Sequence, residues 1–61
     1  MAVISERPLA IMNECGLWYS PDEGIYYWQD NFGAGSKVST VSYITKGDAI
    51  EAMKKGWVVL K

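Results

Sequence analysis

The side chains able to do chemistry in this chain are few, and most of them are rings. Trp18, Tyr19, Tyr26, Tyr27, Trp28 and Tyr43 sit among 61 residues that hold three Trp and four Tyr in all. Such rings stack on planar ligands, with ~1–3 kcal/mol per base for a nucleotide. They equally pack in cores and across strand pairs. Beside them runs Gly33-Ala34-Gly35-Ser36-Lys37. Glycine turns aim successive N–H groups at an anion, and Lys37 adds a point charge. The loop departs from a nucleotide-hydrolysing phosphate loop, which needs four residues between its glycines, then Lys-Ser/Thr and a helix. Here Ala34 alone separates the glycines and Val38 follows the lysine. Thr45-Lys46-Gly47 opens a helical pattern and offers further free N–H groups at a positive dipole end. The expected ligand set is therefore Trp18, Tyr26, Trp28 and Tyr43 as stacking rings, with Gly33, Gly35, Lys37 and Lys46 toward an anionic group.

Catalysis has no such set. Asp22 and Glu23 are adjacent in a turn, where neither a cleft nor a perturbing neighbour makes a general acid–base pair. Cys15 is the single cysteine and the chain has no histidine to activate it. One thiol without histidine is no zinc site either. The expectation is a binding protein without enzymatic activity, cofactor or metal.

The length sharpens this. A single domain spanning 1–61 buries only roughly 60% of its unfolded surface, so its own core is marginal. Disulfide and metal supplements are ruled out by composition, which leaves self-association as the expected one. The net charge is −1, from six basic and seven acidic residues. That balance argues against nonspecific DNA binding. No apolar run approaches the ~20 residues of a membrane span, and the cysteine usage fits a reducing cytoplasm.

The rings must be positioned by a sheet. Leu17-Trp18-Tyr19 and Ile25-Tyr26-Tyr27-Trp28 flank Ser20-Pro21-Asp22-Glu23-Gly24, which reads as a β-hairpin with a four- or five-residue loop. Alternation puts Leu17 and Tyr19 on one face of their strand and Trp18 on the other. On the return, Tyr26, Trp28 and Asp30 share a face, as do Ile25, Tyr27 and Gln29. Both faces of the hairpin are thus aromatic, and one helix covers only one of them. The second calls for a partner subunit, the N-terminal segment or a ligand.

Met1–Ile4 fits an edge strand or a frayed end. Pro8 to Cys15, ahead of Gly16, fits a short helix with a glycine cap, although Leu9 and Ile11 alternate as in a strand. Val38–Ile44, rich in β-branched residues, reads as a strand. Thr45 is a good N-cap, and Asp48 completes a capping-box variant. Ala49, Ile50 and Met53 form the apolar stripe, Gly56 ends the helix, and Trp57–Lys61 reads as a last strand. The expected class is α+β: a small antiparallel sheet, β-β-β-α-β after a short N-terminal segment, with one helix packed on it.

Gly47-Asp48-Ala49-Ile50-Glu51-Ala52-Met53-Lys54-Lys55-Gly56-Trp57-Val58-Val59 resembles a unit of the small phage-encoded Thoeris anti-defence sponge proteins. In them an acidic-Ala-Leu helix ends in Lys-Gly and runs directly into a strand. The unit lies near the N-terminus in that family and near the C-terminus here, and no ligand-binding residue carries over. The resemblance implies a class: tiny, β-rich, oligomeric, noncatalytic, and holding a nucleotide-derived messenger between subunits. Residues and resemblance together lead to the expectation of a homo-oligomer that sequesters a nucleotide-like, planar, anionic small molecule. The alternative is an inhibitor or adaptor that binds a host protein through an aromatic face or a strand edge.

Overall fold

Two tight turns generate a three-stranded meander. A computed structural model of the chain describes residues 7–33 and 37–61. In it β1 (Ala10–Met12), β2 (Cys15–Ser20) and β3 (Ile25–Asp30) lie in the order β1-β2-β3, antiparallel throughout. The expected hairpin is β2–β3, with Leu17 opposite Trp28, Trp18 opposite Tyr27 and Tyr19 opposite Tyr26. Gly24 closes its turn at φ 68°, donating its N–H to the Ser20 carbonyl at 2.7 Å. The rings divide between the faces as alternation requires.

Of the two readings of Pro8–Cys15, the helix is corrected and the strand holds for Ala10–Met12. Met12 pairs with Cys15 around a two-residue turn at Asn13 and Glu14, whose φ values are 51° and 64°. Two consecutive left-handed residues match the twist of a hairpin. Asn adopts that region readily and Glu does not, so pairing with β2 overrides the local preference. Gly16 lies inside β2 and caps nothing. The reading of Met1–Ile4 falls outside the described residues.

Among the described residues one α-helix, α1 (Lys46–Lys54), packs on one sheet face. Thr45 is its N-cap: its Oγ1 accepts the Asp48 N–H at 3.1 Å. At the other end Gly56 sits at φ 74° and donates to the Met53 carbonyl, while Trp57 N–H reaches back to Ala52. These two bonds form a Schellman closure. Ala49, Ala52 and Met53 are buried, and Ile50 is half-buried. The helix thus turns slightly from the expected Ala49–Ile50–Met53 stripe and lays two alanines on the sheet. Small side chains let its backbone come close: the indole Nε1 of Trp28 donates to the Ala49 carbonyl at 2.9 Å. Trp28 and Leu17 are fully buried at the centre of the core.

The two other expected strands are reduced to isolated bridges. Gln29 pairs with Val38, Tyr26 with Tyr43, and Ser39 with Leu60. Between the first two bridges β3 advances from Gln29 to Tyr26 while the facing chain needs Val38 to Tyr43, so surplus residues must bulge out. Ser39 causes the break. Its Oγ accepts the Trp28 N–H at 3.1 Å and donates to the Val41 carbonyl at 3.0 Å. A serine side chain here takes the place of a backbone ladder partner. The class is still α+β, a three-stranded antiparallel sheet with one helix. Its third strand is Ala10–Met12, ahead of the hairpin, in place of the expected Val38–Ile44, and the end of Trp57–Lys61 lies along Val38–Thr40, with Lys61 and Val38 exchanging backbone hydrogen bonds and the Val59 carbonyl accepting from Thr40.

Two substitutions test this arrangement. Thr45→Ala should lower stability by ~0.5–2 kcal/mol, the usual range for a lost cap oxygen, read as a reduced urea midpoint at constant m-value. Trp28→Phe removes the indole donor and part of the core volume. It should lower stability by ~1–3 kcal/mol, and an unchanged midpoint would show that the Ala49 contact does not hold the helix.

Candidate functional site

The seven expected ligand residues that are described do not converge. Trp28 is 0% exposed and presents no ring face to a ligand. Trp18 lies on the opposite sheet face, half-buried against the 3-10 turn Asn31–Gly33. A Cβ added to Gly33 would come 2.7 Å from Cζ2 of Trp18, and Gly33 has φ 104°. The structure brings Trp18 and Gly33 together by close packing. Trp18 Nε1 is buried there without a hydrogen-bond partner. Lys37 is exposed, and its carbonyl accepts the Asp30 N–H at 3.1 Å. Lys46 is exposed in the first turn of α1. Gly35 falls outside the described residues.

Tyr26 and Tyr43 do come together, on the helix-bearing face. Each donates its N–H to the other's carbonyl, at 2.7 and 2.9 Å. Tyr19 extends this pair across β2, its ring centroid 4.8 Å from that of Tyr26 with the planes at 47°. The result is a row of tyrosines, Tyr19–Tyr26–Tyr43, running across the sheet beside the helix.

Beyond Tyr43 the row opens into a cleft of about 500 Å³ lined by Tyr43, Asp48, Glu51, Ala52, Lys55 and Trp57. Its helical wall follows from spacing, since positions 48, 51, 52 and 55 fall on one side of α1. Its outer wall follows from the Schellman closure, which turns the chain back so that Trp57 lies against the end of the helix. Trp57 is 65% exposed. Lys55 Nζ lies 2.9 Å from Glu51 Oε2 and 4.8 Å from the Trp57 ring centroid. The hydrogen bond from Lys55, aided by its charge, lowers the Glu51 pKa below the ordinary glutamate value. Asp48 contributes a second carboxylate on the same wall. From the sequence, Trp57 reads as a strand residue and Asp48 as part of a capping box, with Glu51 and Lys55 given no role in binding. The signal that could have joined them is Lys55-Gly56-Trp57, a left-handed glycine that folds an aromatic back onto the last turn.

Cys15 is buried, and its Sγ donates to the Asn13 carbonyl at 3.5 Å. Burial, then the charges of Asp30 and Glu14, raise its pKa above the usual thiol value. Asp22 and Glu23 are exposed in their turn. Among the described residues no group of three or more His, Cys, Asp or Glu is placed to hold a metal ion, and no helix is long and apolar enough to cross a membrane.

Comparison with family models, curated proteins and solved structures gives no match.

Two measurements check the environments described. Cys15 should react with iodoacetamide at neutral pH at least ~10-fold more slowly in the folded protein than in urea, because both burial and the raised pKa suppress the thiolate. Gly33→Ala should destabilise by more than ~1 kcal/mol, since Ala there is strained by its φ and collides with Trp18.

Proposed function

We propose that the protein is a noncatalytic binding protein whose helix-side aromatic surface grips a basic segment of another protein. The observation that carries this reading is the cleft at the end of the tyrosine row, where two aromatic walls face two carboxylates. Tyr and Trp are the residues enriched at protein interfaces, and buried anchors among them dominate binding energy. The charge of the cleft selects the partner. Lys55 already places an ammonium between an indole and a carboxylate, so the walls accept a cation from within the chain. Asp48 leaves a further negative charge for an incoming Arg or Lys.

Sequestration of a nucleotide-like anion is the other function class expected from the sequence. It needs rings and phosphate donors in one place. Lys37 and Lys46 do not line this cleft, and Asp48 and Glu51 there oppose an anion.

Display selection separates the two. Peptides selected on the protein should be enriched in Arg or Lys, and their binding should weaken with salt. Trp57→Ala should weaken it by at least about tenfold, or ~1.4 kcal/mol. Selection indifferent to charge, together with a nucleotide seen by native mass spectrometry on protein purified from its own cells, would favour sequestration.

A further inference from the structure

We propose that a second copy of the chain docks on the sheet face away from the helix, each copy seating its Phe32 in a hollow on the other. This is independent of the cleft, which lies on the helix side. That face carries Gly16, Trp18, Ile25, Tyr27 and Gln29 by alternation, and Val38 through its pairing with Gln29; Pro8 and the Asn31–Gly33 turn lie over Gly16 and Trp18, so its open part among the described residues is around Ile25, Tyr27 and Val38. Two features stand on it.

The first is a knob. The turn Asn31–Gly33 folds back over the sheet, so that a Cβ on Gly16 would lie 3.0 Å from Phe32 Cα. Asn31 and Phe32 have φ 53° and 60°. Left-handed backbone is unfavourable for an L-residue, and here it carries a phenylalanine that is 47% exposed. Strain held at an exposed aromatic points to a contact made outside the chain.

The second is a hollow of about 360 Å³, lined by Ser20, Glu23, Ile25, Tyr27, Val38 and Ser42 among others. Its apolar floor includes the half-buried Ile25 and Tyr27, and among the described residues Glu23 is its one charged side chain. Knob and hollow occupy different parts of one face. A two-fold axis in the plane of that face, midway between them, carries each Phe32 over the other copy's hollow. Both contacts then form at once, as an isologous interface requires.

Charge and stability favour a second copy as the occupant. The carboxylate of Glu23 rims the hollow, while Lys37 follows the knob in sequence and is tied by its carbonyl to Asp30 at the end of β3. The same axis brings Glu23 of one copy toward Lys37 of the other. Among the described residues the buried apolar side chains are Cys15, Leu17, Trp28, Ala49, Ala52 and Met53, with other hydrophobics only partly buried against them, a small core that association would supplement.

Sedimentation velocity from ~1 μM to ~1 mM protein tests the proposal. The wild type should sediment as a dimer in the upper part of this range. Phe32→Ser should be monomeric throughout, with the near-ultraviolet signal of Trp28 unchanged. Glu23→Lys and Lys37→Glu, both at exposed positions, should each raise the dimer dissociation constant about tenfold. Mixing these two variants should restore association, because the mixed dimer has one native and one swapped Glu–Lys contact and no like-charge contact. A wild-type monomer at every concentration would overturn the proposal. So would a dimer that survives Phe32→Ser, or a mixture no tighter than its components.

Discussion

The hydrogen bond from Trp28 to Ala49 is the contact on which the other elements depend. A buried indole N–H without a partner costs about 1–3 kcal/mol; Trp18 bears that cost, whereas the ring at the centre of the core has an acceptor. It finds a helix carbonyl at 2.9 Å, and that distance sets the separation of helix and sheet. Ala49 and Ala52 permit the approach, and a larger side chain at either would push α1 outward. The backbone of the same residue holds the next segment: its N–H goes to Ser39 Oγ and its carbonyl accepts the Ser39 N–H. Trp28 therefore joins β3, the bridging segment and the helix. Because it does so, its ring is withdrawn from any surface, and recognition is left to rings that the core does not use.

What local chemistry dictates was legible. Pro21 to Gly24 turn the hairpin, alternation sorts its rings, Thr45 caps the helix and Gly56 ends it. Each of these needs only neighbours in sequence. The features that were not legible all depend on a choice made in three dimensions. Alternation places Trp18 and Trp28 on opposite faces but does not rank them; the ranking comes from where the helix backbone can approach. The turn at Asn13–Glu14 puts a glutamate in a conformation it disfavours, which becomes worthwhile only once β1 has β2 to pair with. Val38–Ile44 has strand composition, yet one serine hydroxyl competes with the ladder and breaks it.

The candidate site shows the same division. The aromatic content indicated binding, but the ring nearest the cleft's charges, Trp57, was hidden in an apparent strand. Its position follows from the helix C-terminus, where two backbone hydrogen bonds fix the direction of the next residue. Lys37 and Lys46 looked like phosphate donors because each stands beside glycine in the sequence. In three dimensions they lie outside the ring-lined cleft, where the nearby charges are mostly carboxylates. Proximity in sequence to a flexible loop is a weak guide to which charges meet, since the helix brings residues three and four apart onto one wall.

The sheet separates the two proposed recognition surfaces, and that separation limits how they could work together. Association through the face away from the helix would leave both helices outermost, with the two clefts pointing away from the shared interface. One short segment could then not occupy both. A partner carrying two basic segments joined by a long linker could bridge them, and would gain effective concentration only when the linker's length matched the span. A partner with a single segment would be bound by each cleft at its intrinsic affinity, whatever the oligomeric state. The arrangement thus suits either a repetitive partner or simple stoichiometric capture, and it disfavours cooperative closure of two subunits around one small ligand on the helix side.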